Sequence, residues 1–344
     1  MSKFAKWIGD HQVSAFFILA FLITWGLGFS YGAVVKHGRF LLVPLVFLAT
    51  CGPALAGIII TTVTGPRQKT GHRATVWGAF FAAWIAAAVV CLAHSTLINR
   101  MPLSPRWGLL AALSVAPVAL IISRAYSRSP AMRNYLAPLV RVKGVLGWIF
   151  LSLALLPGLS LISLAVSRGL GRASASLFAL PVTGITLVGW IALKFLYQLF
   201  FFNATGEEAG WRGFALPRMQ AHLSPLVASL VIALFWVPWH VFLWRAEGQA
   251  VQSLSFWLFS YLMHIPASVI ICWLYNRSRG SILVAGVAHA AANTAFALLQ
   301  NFDMTGLALT FYAFVGIIVL ADRMWKKLPS GHPAVLSRSA EATT

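Results

Sequence analysis

The sequence predicts an all-α, polytopic membrane protein, a bundle of about ten transmembrane helices. Three observations predict it. Hydrophobic residues make up 59% of the 344-residue chain and charged residues only 10%, whereas roughly a quarter of a soluble globular domain is charged. The apolar residues fall in runs near the roughly 20 residues that a helix needs to cross the hydrocarbon core. The basic excess, 26 Lys and Arg against 7 Asp and Glu, sits in the short segments between those runs, where it sets topology and meets anionic headgroups. A soluble enzyme is excluded, the lipid bilayer is an expected partner, and nucleic acid is not, because the cations sit in short loops between apolar runs.

Taken in order, Lys3 and Lys6 precede a run from Val13 to Val35, too long for the apolar core of a secretion signal, which reads as the first span. Leu41 to Val63, Thr75 to Leu97 and Trp107 to Ile122 follow, the last being short and interrupted by Pro117. Val145 to Val166 and Leu180 to Phe202 complete six spans, and Pro225 to Trp244, Leu254 to Tyr275, Ser281 to Leu299 and Met304 to Ala321 complete ten. The short fourth span is kept on charge: with the N-terminus inside, inside segments hold 18 of the 26 Lys and Arg, outside segments 7, and Lys194 lies within a span. That bias predicts an integral, multi-pass protein with both termini cytoplasmic. It also puts the turns near Leu223 and Asn276 on the cytoplasmic side, with the polar site opening toward them. Cys51, Cys91 and Cys272 lie in apolar runs without a CxxC spacing, so no disulfide framework or thiolate metal site is expected. From Pro329 to Thr344 the Ser, Thr, Gly and Pro content reads as a disordered tail.

Chemistry concentrates in one stretch. Of the seven acidic residues, only the adjacent pair Glu207 and Glu208 joins apolar helix, and a carboxylate at membrane depth is costly enough to mark a functional site. On an α-helix Glu208 and Arg212 are i and i+4 with the acid first, the favourable order for an ion pair. Glu207, about 100° round the helix, is then free to point elsewhere. Three histidines, His240, His264 and His289, lie well inside apolar runs. An antiparallel hairpin bending beside Ser224-Pro225 brings Glu207 and His240 to one depth, and a second bend near Asn276 does the same for His264 and His289. Asn293 follows His289 at i+4 on the same face, with Ala290, Ala291 and Ala292 between them allowing close helix approach. Such an imidazole and amide pair suits a developing oxyanion. Trp236, one turn before His240, reads as packing.

These residues resemble a known family. Glu207-Glu208-Ala-Gly-Trp-Arg212 is similar to an EExxxR motif, Trp236-Val-Pro-Trp-His240 to an FxxxH motif, and His289-Ala-Ala-Ala-Asn293 to the HxxxN motif of the CPBP intramembrane proteases. That family comprises the type II CAAX prenyl endopeptidases and bacterial bacteriocin-processing and abortive-infection relatives. The resemblance runs from about Leu180 to Gln300, with one departure: Trp236 stands where the motif has Phe, and Phe235 is one position earlier. It implies that Glu207 and His240 activate water, that His289 and Asn293 stabilise the oxyanion, and that Glu208 and Arg212 support them. His264 has no counterpart in the motifs and reads as a supporting or packing residue.

The resemblance divides the chain into an N-terminal transmembrane region, 1–179, of about five helices, a protease-like membrane core, 180–300, a final transmembrane helix, 301–328, and the tail, 329–344. It implies an intramembrane endopeptidase acting on a membrane-associated peptide or protein. The cofactor stays open: Glu207, His240 and His289 match the three-ligand form of a catalytic zinc site, and a metal-free glutamate mechanism fits the same residues. Two rival readings remain, an ion-coupled transporter using buried Glu and His as a proton relay and a catalytically silent scaffold.

Overall fold

A computed structural model describes residues 3–29, 42–65, 74–172, 185–246, 251, 253–299 and 303–336, and the regular elements among them are helices. Ten apolar helical segments match the ten expected spans. Seven are long and apolar enough to cross a membrane: Ala74–Ile98, Pro105–Arg124, Leu146–Gly169, Thr186–Met219, Pro225–Arg245, Leu254–Arg277 and Met304–Ala321. The other three, Gln12–Gly28, Gly52–Thr64 and Ile282–Leu298, are shorter. The chain is an integral, multi-pass membrane protein. Lipid-facing apolar side chains are exposed along Ala74–Ile98, with Trp77, Phe81, Ile85 and Val89 each more than half exposed, as expected where hydrocarbon replaces water around the fold.

Prolines set several boundaries. The second expected span is two helices, Leu42–Thr50 and Gly52–Thr64, meeting at Cys51 with Pro53 in the first turn of the second. In the fourth, Val115 separates Pro105–Ser114 from Ala116–Arg124, whose first turn holds Pro117. Proline suits a first helical turn, where its missing N–H would be unpaired anyway. Serines cap the helices around the site: the Ser224, Ser253 and Ser281 hydroxyls accept from the backbone N–H of Val227, Phe256 and Val284, each satisfying one orphan donor.

Two sequence expectations are revised. The sixth span does not end at Phe202. Helix continues from Ile185 to Met219 and carries two π-helical stretches, Leu199–Glu208 and Trp211–Ala215, so the glutamate pair lies within a long membrane helix. The tail is ordered where it is described: Leu336 donates its N–H to Pro217 O at 3.0 Å, and Gln220 Nε2 donates to Ala334 O at 2.8 Å. Residues 337–344 and the proposed boundary at 179–180 lie outside the described residues.

The helix Ile282–Leu298 is central, packing against Leu146–Gly169, Leu254–Arg277 and the π-helical stretch Leu199–Glu208, which also touches Gly52–Thr64. The pair Pro225–Trp239 and Leu254–Arg277 closes the other side.

Candidate active site

The π-helical stretch exists because its neighbours press close and its widened turns find partners. A Cβ at Gly206 would stand 2.6 Å from the Thr50 carbonyl oxygen, and one at Gly286 would meet Ala204, so glycine permits backbone approaches that any side chain would block. Carbonyls displaced from the α ladder are taken up by hydroxyls: Thr205 Oγ1 donates to Phe200 O, and Thr50 Oγ1 to Phe201 O at 3.3 Å. π-Helical turns of this kind concentrate at functional sites.

The stretch presents two carboxylates with separate partners. Glu207 Oε2 accepts from Trp236 Nε1 at 2.6 Å and lies 3.6 Å from His240 Nε2. Its Oε1 accepts from Asn203 Nδ2 at 3.4 Å, and Asn203 Oδ1 accepts in turn from Asn293 Nδ2 at 3.4 Å. Glu208 has a different set, its Oε1 accepting from Arg212 Nη1 and His289 Nδ1, both at 2.9 Å. Arg212 Nη2 donates to Ser268 Oγ at 3.1 Å, and Ser268 Oγ to Ser229 O at 2.8 Å. Glu208 and Arg212 are both fully buried, so pairing and hydrogen bonding must offset their desolvation.

Each histidine is oriented through Nδ1. His240 bonds Trp236 O at 2.9 Å, His264 bonds Ser260 O at 2.7 Å, and His289 bonds Glu208. When Nδ1 carries the donated proton, the neutral ring leaves its Nε2 lone pair available. The indole of Trp236 is the hub, with ring centres 5.7 Å from His240, 5.0 Å from His264 and 5.1 Å from His289, and Arg212 Cζ 4.9 Å from its centre. Glu207, His240 and His289 are buried, while Asn293 and His264 are half-buried at the margin.

All the sequence-singled residues therefore converge, His264 included, its ring centre 5.1 Å from His240. Two contributors escaped the sequence reading. Trp236, read as packing, donates to Glu207. Asn203 links Glu207 to Asn293; its signal was an amide at i−4 from Glu207 on apolar helix. For the conditional metal set, Nδ1 bonding of His240 and His289 leaves each Nε2 open, as in a metal-ligating histidine, while among the described residues no three His, Cys, Asp or Glu side chains gather closely enough to hold a metal ion.

The ring's depth also differs from expectation. His240 stands about 22 Å of helix from Pro225, His264 about 20 Å from Arg277, and His289 about 11 Å from Ile282. The half-buried margin thus lies away from the turns at 220–224 and 278–280, instead of opening toward them as expected.

Residues 188–295 match the family model described as type II CAAX prenyl endopeptidase Rce1-like. Over 179 residues the chain is 28% identical to a protein of Methanococcus maripaludis named CAAX prenyl protease 2, an alignment covering 50% of this chain and 65% of that relative. Glu207, His240, His289 and Asn293 all fall inside both the matched segment and the ring just described.

Proposed function

We propose that this chain is an intramembrane endopeptidase of the CPBP family, hydrolysing a peptide bond of a membrane-associated or lipidated protein, a reading supported by the match of residues 188–295 to the type II CAAX prenyl endopeptidase Rce1-like model. The observation that carries the reading is the buried juxtaposition of Glu207 Oε2 and His240 Nε2 at 3.6 Å. A water about 2.8 Å from each atom would be polarised by both. Glu207 takes the water's proton as its oxygen attacks the carbonyl carbon, and later gives that proton to the departing amine. His289 and Asn293 stabilise the oxyanion. Glu208, accepting from His289 Nδ1, fixes the orientation of that ring, and Arg212 holds Glu208 in place. These steps use only the chain's own side chains; loss of cleavage on chelation, restored by zinc, would instead assign Glu207, His240 and His289 as metal ligands.

The test is cleavage in reconstituted vesicles, with substrates found by comparing protein termini in membranes holding the active chain or Glu207→Gln. Glu207→Gln keeps shape and hydrogen bonding and removes the base; a folded variant without cleavage is expected, and cleavage at the unmodified rate would refute the assignment. His240→Ala should behave alike. Asn293→Ala, lacking one donor, should keep roughly a hundredth to a thousandth of the rate. We further propose, from the basic bias, that both termini are cytoplasmic.

A further inference from the structure

At the end of the bundle that carries the turns at 220–224 and 278–280, a cavity of about 640 Å³ has Arg141, Arg218 and Arg279 in its wall. No Asp or Glu is among its described lining residues; Asp10 lines an adjoining cavity of about 260 Å³ that shares Gln12 and Arg218 with this one. Arg141 is locked in place by backbone alone, its Nη2 donating to Ser278 O at 3.1 Å and Arg279 O at 3.0 Å, and its buried Nε has no partner. Arg218 is fixed by Phe214 O at 3.0 Å, by Gln12 Oε1 at 2.5 Å and by the face of Phe214 at 3.7 Å. Among the described residues no carboxylate pairs with Arg141 or Arg279. Like charges converging on one concavity raise the local anion concentration, and preset guanidinium forks match phosphate oxygens.

The level of the cavity in the membrane narrows the ligand. Thr61 and Thr64 come from the last turns of Gly52–Thr64, and Tyr275 from the end of Leu254–Arg277, which puts the arginines where apolar helix gives way to headgroups. Basic pockets between membrane helices at that level suit anionic lipid headgroups, and the volume lies in the range of small-ligand sites. We infer that the cavity walled by Arg141, Arg218 and Arg279 is a binding site for a phosphate-bearing anion, either a phospholipid headgroup or a soluble phosphate. It is separate from the Glu207 ring and independent of the proteolytic reading.

The test uses the full chain, stripped of lipid in neutral detergent, with thermal unfolding followed while dioleoyl phosphatidylglycerol, dioleoyl phosphatidylcholine or inorganic phosphate is titrated in. Phosphatidylglycerol should raise the melting temperature saturably and phosphatidylcholine should not; the same saturable rise with inorganic phosphate assigns the soluble source, and its absence the lipid. Arg279→Gln removes a charge whose side chain is exposed, and should raise the half-saturation concentration about fivefold. Arg128→Gln, an exposed basic residue outside the cavity wall, should leave it unchanged. Equal effects of the two lipids, an Arg279→Gln titration matching the unmodified chain, or an equal loss with Arg128→Gln would overturn the site. If Arg141→Gln does not fold, the Arg279→Gln titration still decides.

Discussion

Trp236 holds Glu207 by a single N–H, at 2.6 Å, and that contact could not be read from the sequence. An aromatic one turn before a histidine looks like packing, because the rotation that aims the indole is set between helices and not within one. Trp236→Phe keeps a ring among the histidines and deletes the donor. Cleavage is expected to fall about ten- to a hundredfold, the equivalent of one hydrogen bond to a charged group; an unchanged kcat in a folded variant would remove Trp236 from the mechanism. The Glu208–Arg212 pair was legible, since i, i+4 spacing is local. What the spacing left out is that the same Glu208 oxygen also accepts from His289, and this contact decides what a charge exchange would do. Arg212→Ala leaves a buried carboxylate short of its cation and should cost about 3 to 5 kcal/mol, seen as lost melting temperature. Exchanging the two charges should not restore it, because an arginine at 208 would face His289. Recovery of full stability in the exchanged double variant would show that the His289 contact is dispensable.

Helix periodicity located the elements well, since apolar runs of membrane length need little else. It failed where the backbone departs from the α ladder. The α-helical spacing taken for Glu208 and Arg212 carries no sign of widened turns among Gly206, Gly210 and Gly213, yet these glycines lie in or beside the π-helical stretches, where neighbours come nearest. Tertiary contact decides this: Gly206 faces a backbone carbonyl that cannot step aside. Gly206→Ala would ordinarily favour a helix, but here overpacking should dominate and cost about 1 to 3 kcal/mol. Because Leu199–Glu208 ends in the glutamate pair, cleavage should fall together with the melting temperature. A Gly206→Ala chain as stable as its parent would mean that the π-helical stretch yields without strain.

For the whole molecule, the helix lengths fix the depth of the site, and the orientation proposed for the bundle rests on the charge bias. The hairpin count succeeded for Glu207 and His240, whose bend lies where Ser224-Pro225 marks it. It was less faithful for His264 and His289, because the actual turn at 278–280 falls later than the midpoint between them, and both reach Trp236 from unequal distances along their helices. The consequence is that His240 and Asn293 sit toward the ends opposite the turns, while His264 and His289 lie near mid-helix. If the basic bias orients the chain, His222 is cytoplasmic and Arg245, at the other end of Pro225–Arg245, faces outside; both are exposed. In a variant with Cys51, Cys91 and Cys272 replaced by Ser or Ala, His222→Cys should resist a membrane-impermeant thiol reagent in intact cells and react after permeabilisation, while Arg245→Cys should react in both. The native cysteines are buried, so an unmodified background that retains function is an acceptable alternative. The reverse labelling pattern would invert the orientation. It would also set the half-buried margin formed by His264 and Asn293 toward the cytoplasm, where a substrate delivered from that side would meet it first.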